Sequence, residues 1–213
     1  AMNTKPVTPS ASNVAYVSGP NPAYVDLNGG TVQMFEFTYT ALSSGNTTFT
    51  ATVTGIDENI GNTVTANVTS NIVAIQNAAS LASIITASPM TIKTNEDIVT
   101  VYMTVSNSGQ ATANLVTPNP VGVAQVGGGT GGADVRSGPA PANWQITGGA
   151  FRVFTWTYTA TGVGTINFTG SVAGVDANTG VSYPSNSATS NNVDVRTPSP
   201  VLSSSMSVSR NVV

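Results

Sequence analysis

Apolar and polar residues alternate along most of the chain, in short runs that are separated by turn residues. In residues 31–41 the aromatic side chains of Phe35, Phe37 and Tyr39 fall on one side, and threonines fall on the other. A period of two is that of a half-buried β-strand. No stretch has the 3.6-residue apolar period of an amphipathic helix. The pattern therefore predicts an all-β protein with almost no helix.

Glycine, proline, asparagine and serine divide these runs into short strands. We expect a turn at residues 19–22 and one long hairpin from residues 31–41 and 47–55. The first strand of the second half is expected to break at Pro89, because proline is tolerated at bends and sheet edges. The predicted strands are residues 14–17, 24–27, 31–41, 47–55, 63–68 and 71–75, then 81–86, 90–93, 98–106, 113–116, 122–126, 144–146, 151–160, 165–174 and 192–196.

One stretch of 27 residues occurs twice. Residues 35–61 and 154–180 align without a gap at an offset of 119, and 13 of the 27 positions are identical. A match of this density within one chain indicates two copies of one structural unit. The second copy also carries about ten extra residues, which we place in a lengthened, glycine-rich surface loop at residues 126–133.

The limits of the repeat divide the chain into three parts. Residues 1–77 form the first module, and residues 78–197 form a complete second module. The second copy opens with residues 81–114, which have no counterpart before Val7, so the first module is expected to lack its opening strands. Residues 198–213 are expected to be a linker and the start of a third, truncated repeat, because their sequence resembles a shortened copy of residues 81–93.

Two interpretations of the incomplete first module are open. In the first interpretation, the chain is a fragment of a longer array of modules. We favour this interpretation because a sandwich without two of its strands exposes edges that aggregate. In the second, residues 201–213 (Val201 to Val213) complete the first module of a like subunit by strand exchange, a form of β-augmentation. The expected partners are therefore neighbouring repeats of the same protein or like subunits.

The spacing of the predicted strands indicates the fold. About seven to nine short antiparallel strands in roughly 115 residues, with frequent turn signals, are typical of an immunoglobulin-like sandwich. The predicted fold is thus a tandem of immunoglobulin-like antiparallel β-sandwiches. The side chains expected between the sheets are those of Phe154, Trp156, Tyr158, Phe168 and Val172 in the second module, and those of Phe35, Phe37, Tyr39, Phe49 and Val53 in the first.

Composition narrows the range of functions. Charged residues make up 7% of the chain, against roughly 25% in typical soluble domains, so the surface is rich in hydroxyl and amide groups. With six lysines and arginines and a net charge of −3, we expect no nucleic-acid partner. Histidine and cysteine are absent, which excludes thiol nucleophiles, disulfides and His-based triads. No run of 18 apolar residues occurs, so no membrane insertion of this segment is expected.

Two turns carry the strongest candidate metal ligands. Asp57 and Asn59 in the first copy match Asp176 and Asn178 in the second, and oxygen-bearing side chains at alternate positions are how a calcium loop begins. A calcium loop also needs a later bidentate acid, and neither copy has one. An Asx-type hairpin turn closed by glycine explains both sequences and is favoured. We therefore expect no metal and no cofactor.

The remaining candidates are isolated. Trp144 is the better candidate for a binding aromatic, because Trp156 takes the place of the inward-facing Phe37. The glycine run 127–132 lacks the lysine and the helix of a phosphate loop and predicts a flexible loop. Carboxylates do not recur as a pair in both copies, so no catalytic residues are expected. Candidate glycosylation sites in Asn-X-Thr sequons are Asn46, Asn67 and Asn167.

Three segments of the second copy, VTVYMTVSNSGQATAN at 99–114, FTWTYTA at 154–160 and GVDANTG at 174–180, resemble the immunoglobulin-like repeats of large bacterial cell-surface proteins, including the cell-adhesion-related bacterial repeats. The resemblance covers the second copy fully and the first from about Val7. It implies an extracellular, cell-surface location and a non-catalytic structural role as a stalk, spacer or filament building block. An adhesive or carbohydrate-binding module is the alternative. An enzyme is least favoured, because no candidate nucleophile has a base beside it.

Overall fold

A computed structural model of the chain describes residues 1–119, 121–198 and 202–207. These residues form strands, turns and loops, which confirms the prediction of an all-β protein. None of them belongs to a helix long and apolar enough to cross a bilayer. The chain divides into two compact units, residues 1–77 and residues 78–213.

The first unit contains three small sheets with antiparallel pairing. Its strands are β1 (Met2–Pro6), β2 (Val14–Asn21), β3 (Glu36–Ala41), β4 (Gly45–Thr47), β5 (Thr50–Ile56), β6 (Thr63–Thr69) and β7 (Val73–Ile75). One sheet has the order β1-β5-β6, and the other two are the pairs β2-β3 and β4-β7. The predicted strand 24–27 is wrong, since this stretch makes only an isolated bridge between Val25 and Thr4.

The aromatic side chains of the first unit are only half-buried. This holds for Phe35, Phe37, Tyr39 and Phe49, which were expected to lie inside a sandwich, and also for Val53. Among the described residues, β3 pairs with β2 alone and β7 pairs with β4 alone. The edges of β3 and β7 away from these partners are therefore unpaired.

The second unit contains three larger sheets. Its strands are β8 (Leu81–Ser88), β9 (Thr91–Lys93), β10 (Ile98–Asn107), β11 (Ala113–Pro118), β12 (Gly122–Val126), β13 (Gly132–Ala140), β14 (Trp144–Ile146), β15 (Phe151–Gly162), β16 (Gly164–Gly170), β17 (Val172–Asp176), β18 (Ser182–Pro184), β19 (Ala188–Thr189) and β20 (Val193–Arg196). The sheet orders are β13-β15-β10-β8, β14-β11-β17-β18 and β12-β16-β20-β9, with β19 also pairing with β16.

The sheets of the second unit enclose one hydrophobic core, as in a β-sandwich. The five side chains predicted to lie inside are buried, with at most 2% of their surface exposed, and this prediction is confirmed. The rings of Tyr158 and Phe168 meet with centroids 4.8 Å apart. Strand β10, beside β15 in the same sheet, adds to this core, because its alternate residues Val99, Val101 and Met103 are fully buried. Burial of each large apolar side chain stabilises the fold by about 1.5–3 kcal/mol.

The first strand of the second unit breaks at Pro89, as predicted. Its first part, β8, pairs antiparallel with β10, whereas its second part, β9, pairs parallel with β20. The two parts therefore lie in different sheets. Proline has no N–H to donate to a ladder, so a strand can change sheets at this position without losing a hydrogen bond.

The predicted long hairpin is wrong. Strand β3 pairs with β2 and strand β4 pairs with β7, and the matching strands β15 and β16 also belong to different sheets. Strand 47–55 is moreover divided into β4 and β5, and strand 165–174 into β16 and β17. An alternating run buries one face equally well beside a neighbouring strand or across the core from it, so periodicity does not identify the partner.

Strands β2 and β13 correct two predicted irregular segments. Strand β2 extends into the predicted turn at 19–22 as far as Asn21, and β13 begins at Gly132, inside the run expected to be an extended loop. Both strands pair with shifts in register. Gly19 and Gly138 have φ angles of +128° and +114°, and a Cβ at either would lie 2.7 Å from a carbonyl oxygen of the adjacent strand. These glycines mark bulges and not turns.

Candidate functional site

Positions that match in the repeat make matching hydrogen bonds in the two units. The N–H of Phe49 donates to Oγ of Ser70 at 3.0 Å, and the N–H of Phe168 donates to Oγ of Ser190 at the same distance. Each serine hydroxyl in turn donates to the carbonyl oxygen of the following asparagine at 2.7 Å. The residues shared by the two copies therefore support the scaffold.

Asp176 lies at the turn between β17 and β18 and is 1% exposed. Its Oδ1 accepts the N–H groups of Asn178 and Thr179, each at 2.9 Å, and its Oδ2 accepts the N–H of Ala79 at 2.7 Å. The hydrogen bonds from Ala79 and then Thr179 lower the pKa of Asp176 and outweigh burial, which acts to raise it. The carboxylate is thus an anchor for the beginning of the second unit.

Asp57 occupies the same place in the first unit. Its Oδ1 accepts the N–H of Asn59 at 2.9 Å, and its carbonyl oxygen accepts the N–H of Gly61 at 2.8 Å. Both turns have the Asx geometry in which the side chain binds the backbone two residues on. The described residues contain no cluster of three or more potential metal ligands among histidine, cysteine, aspartate and glutamate. The structure therefore brings each candidate pair together only within its own turn.

Trp144 lies at the edge strand β14 and exposes 46% of its surface. The guanidinium carbon of Arg152 lies 4.0 Å from the centroid of the Trp144 ring, a cation–π contact. Phe151, next to Arg152 in the chain, is 69% exposed. Because Arg152 covers one face of the indole, a flat ligand has only the opposite face available for stacking.

The three sequons lie in strands. Asn46 in β4 and Asn67 in β6 are exposed, although Oδ1 of Asn67 accepts a hydrogen bond from the Thr52 hydroxyl at 2.8 Å. Asn167 in β16 is half-buried, and its Oδ1 is buried without a partner among the described residues. Asn46 is therefore the most accessible of the three as a glycan acceptor.

The glycine run leads from β12 into β13, so no helix follows it. The N–H of Thr130 donates to the carbonyl oxygen of Val163 at 3.0 Å, and the amide of Gln125 donates to the carbonyl oxygen of Gly129. A phosphate cradle needs free N–H groups at the start of a helix. The loop thus has the form of a connection between two sheets.

Two asparagines that the sequence interpretation missed hold β8 at its outer edge. Oδ1 of Asn191 accepts the N–H of Ala87 at 2.9 Å, and Nδ2 of Asn191 donates to the carbonyl oxygen of Ala87 at 3.0 Å. Asn186 makes the same two bonds to Ser83, at 2.8 and 3.0 Å. Each side-chain amide thus supplies the pair of hydrogen bonds that a neighbouring strand would otherwise make to that residue of β8.

The first unit has the matching asparagine without a strand to hold. Asn71 corresponds to Asn191, because the Thr-Ser-Asn sequence recurs at an offset of 120. Its side chain is exposed and makes no hydrogen bond among the described residues. Close to it in sequence, the unpaired edge of β7 ends at Ile75. A cavity of about 240 Å³ on this unit is lined by Pro9, Phe37, Tyr39 and Phe49. We call Asn71 and the free edge of β7 the open face.

The segment predicted to take part in strand exchange is described only in part. Residues 202–207 form no strand, and Leu202 and Met206 are 96% and 94% exposed. Residues 201 and 208–213 lie outside the described residues. The described part of this segment thus presents its apolar side chains to solvent.

Comparison with known proteins gives no family for this chain. No protein-family model matches it, and no curated protein is significantly similar to it. The function therefore has to be argued from the contacts and the exposed surfaces of the molecule.

Proposed function

We propose that the chain is a non-catalytic structural segment of an exported cell-surface protein, in which immunoglobulin-like modules follow each other as a stalk, spacer or filament building block. The observation that carries this proposal is the recurrence of the same internal contacts in two compact units. The ring pairs Tyr39–Phe49 and Tyr158–Phe168 have centroid separations of 4.9 and 4.8 Å. Repetition of one unit along a chain produces length, which is the property that a spacer requires.

The strand arrangement of the second unit supports the immunoglobulin-like part of the proposal. Its opening strand divides at Pro89 between the two faces of the sandwich, through β8 on β10 and β9 on β20. The buried core between the sheets is built from alternating inward residues, as in such sandwiches. A chain in which 7% of residues are charged also fits a protein whose polar exterior consists of hydroxyl and amide groups.

The cell-surface location is tested with antibodies raised against the whole chain. We expect them to label intact cells of the source organism as strongly as permeabilised cells. An antibody against a cytoplasmic protein serves as the control and should label only permeabilised cells. Labelling that requires permeabilisation would overturn the proposed location.

A second candidate function, carbohydrate binding, rests on the exposed Trp144. Stacking of a sugar on its free face would quench or shift tryptophan emission, and because Trp156 is 2% exposed the signal would come from Trp144. Titration with oligosaccharides is therefore informative when Trp144→Phe is measured in parallel. Saturable quenching that is lost in the variant would favour this function over a purely structural one.

A further inference from the structure

The second unit shows how a sandwich of this sequence covers the face that is open in the first. Strand β9 lies parallel to β20, with Ile92 opposite Val195, and Ile92 is 1% exposed. Just before β9 in the chain, the backbone of Ala87 is held by the side chain of Asn191. The segment that covers the edge of β20 is thus held at Ala87 by the side chain of Asn191, and five residues later by the buried side chain of Ile92.

The receiving groups are also present in the first unit. Asn71, Ala74 and Ile75 correspond to Asn191, Asp194 and Val195 at an offset of 120. Strand β7 pairs with β4 in the register in which β20 pairs with β16. The free edge of β7 therefore offers the backbone groups that β20 uses to bind β9.

Residues 201–211 match a range of the second unit that contains the end of β8, the break at Pro89 and all of β9, which is the part that covers this edge. They align without a gap to residues 85–95 at an offset of 116. Of the three buried apolar residues in this range, Ile85 and Ile92 are replaced by Val201 and Val208, which are smaller but also β-branched, and Ala87 is replaced by Ser203. The identical pairs are Ser88 with Ser204, Met90 with Met206 and Asn95 with Asn211.

We propose that the open face binds residues 201–209 of a second copy of this chain, with residues 207–209 lying parallel to β7 as β9 lies parallel to β20. In this register Ser203 is held by the amide of Asn71, Ser207 lies opposite Ala74, and Val208 takes the buried place that Ile92 has in the second unit. The inference rests on the proposed structural role and names its partner, a like chain. Repeated head-to-tail, one such contact generates open chains or rings.

The order of the segments along the chain favours a second copy, and not the same molecule, as the source of the strand that binds the open face. After β7 the chain leads directly into β8, so a completed last strand passes the polypeptide to the following unit and not back to the preceding one. Residues 197–201 follow β20 as residues 77–81 follow β7. The same order places residues 201–209 after the second unit, and we assign them to the unpaired edge of β7 in a second copy.

The first test is the molar mass over a range of concentrations, measured by light scattering for the full chain and for a chain ending at Pro200. We expect the full chain to form dimers and longer species, and the shortened chain to remain a monomer. Equal masses for the two chains at every concentration would overturn the proposal. This result would leave the cell-surface location untouched, because antibody labelling of intact cells does not depend on association.

Single substitutions test the register. Val208→Ser should weaken association about tenfold or more, since it removes the buried anchor of the strand. Leu202→Ser should leave association unchanged, because Leu202 takes the place of the exposed Thr86. Asn71→Ala should weaken association, whereas Asn62→Ala, at an exposed asparagine of the same unit, should not. Equal effects of Val208→Ser and Leu202→Ser would refute the proposed register.

Cross-linking distinguishes binding of a second copy's terminus from binding of the chain's own terminus. The chain has no native cysteines, so every disulfide comes from the introduced cysteines. A mixture of Ala74→Cys and Ser207→Cys chains should yield a mixed disulfide dimer under mild oxidation. A mixture of Ala66→Cys and Ser207→Cys, with the first cysteine on β6, is the matched control and should not. If the double variant carrying Ala74→Cys and Ser207→Cys closes within single molecules and the mixture stays unlinked, the occupant is the chain's own terminus and the proposal fails.

Discussion

The backbone N–H of Ala79 and Oδ2 of Asp176 are 97 residues apart in the chain and form a hydrogen bond of 2.7 Å. This bond ties the entry of the second unit to the turn between β17 and β18. Because both partners are buried, the carboxylate must stay ionised to keep all its donors satisfied. The turn considered as a candidate calcium loop therefore supplies the carboxylate that anchors Ala79.

The stability of the second unit should fall at acidic pH through Asp176. Its pKa is lowered in the folded chain below the ordinary value of about 3.9, so its contribution to stability is present above about pH 4 and is lost as pH falls through the folded pKa. Asp176→Asn should lower the denaturation midpoint at pH 7 and flatten this acid dependence. The measurement is guanidinium denaturation followed by tryptophan fluorescence, because Trp144 and Trp156 both lie in this unit.

Asp57→Asn is the matched control for that experiment. It changes the equivalent turn of the first unit, where no residue plays the part of Ala79. The tryptophan transition of this variant should keep the acid dependence of the unaltered chain. Loss of the dependence in both variants would show that the effect does not arise from the Ala79 contact.

Tyr158→Phe should destabilise the second unit by about 1–2 kcal/mol, because it leaves the buried carbonyl oxygen of Val121 without its donor. The Tyr158 hydroxyl donates to this oxygen at 2.9 Å. Tyr102→Phe is the control, since Tyr102 is 40% exposed and its substitution should cost less than about 0.5 kcal/mol. The free energy of unfolding from the same fluorescence titration distinguishes the two variants.

Alkaline pH gives a second readout of Tyr158. Burial raises its pKa to about 12, against about 10 for an exposed tyrosine. The stability that this shift supplies is therefore complete below about pH 10 and is lost as pH rises towards 12. Tyr158→Phe should show a shallower loss over this range, and an identical alkaline profile in both proteins would contradict the assignment.

Asn191→Ala should destabilise the second unit by about 1–3 kcal/mol, because the N–H and carbonyl of Ala87 lose their partner at the outer edge of β8. Asn71→Ala removes the equivalent asparagine of the first unit and should leave the tryptophan transition unchanged. Hydrogen exchange at Ala87 checks the local effect, since its N–H should exchange faster in Asn191→Ala. Equal protection of that N–H in the variant and the unaltered chain would refute the role of Asn191 in holding β8.

Calcium should not stabilise either unit. The oxygens of Asp176 are occupied by N–H donors, and a calcium site needs six or more oxygen ligands including bidentate acids. We expect thermal unfolding to have the same midpoint in millimolar calcium and in chelator. A saturable rise of the midpoint with calcium, absent in Asp176→Asn, would contradict the interpretation of the turn as an Asx turn.

Several elements of the fold could be read from the sequence because their causes are local. The alternation in residues 98–106 predicts β10 within one residue of its observed end, and the inward face of β15 is given by Phe154, Trp156 and Tyr158. Proline at position 89 predicts the break between β8 and β9. Strand β13 escaped prediction because its sequence carries glycine and proline where a bulge, and not a turn, requires them.

The candidate sites divide in the same way. The candidate role of Trp144 fits its 46% exposure on the edge strand β14, and the geometry of the Asp57 turn follows from residues within five positions of each other. The hydrogen bonds between Asn191 and Ala87 join residues that are 104 positions apart, so no local sequence pattern predicts them. The recurring Thr-Ser-Asn sequence was the one local feature that pointed to Asn191. The role of this asparagine could be assigned only from the position of β8 in the structure.

By itself, the sequence determined that the chain is all-β, that a 27-residue stretch occurs twice, and which side chains of the second copy face inward, because periodicity and internal identity can be read directly along the chain. Tertiary structure alone decided which strand lies beside which. It placed β10 next to β15 and left β3 and β7 of the first unit each with an open edge. The physical reason is that an alternating strand buries its apolar face beside any partner of suitable length, and the choice is made by packing and hydrogen bonds between distant segments.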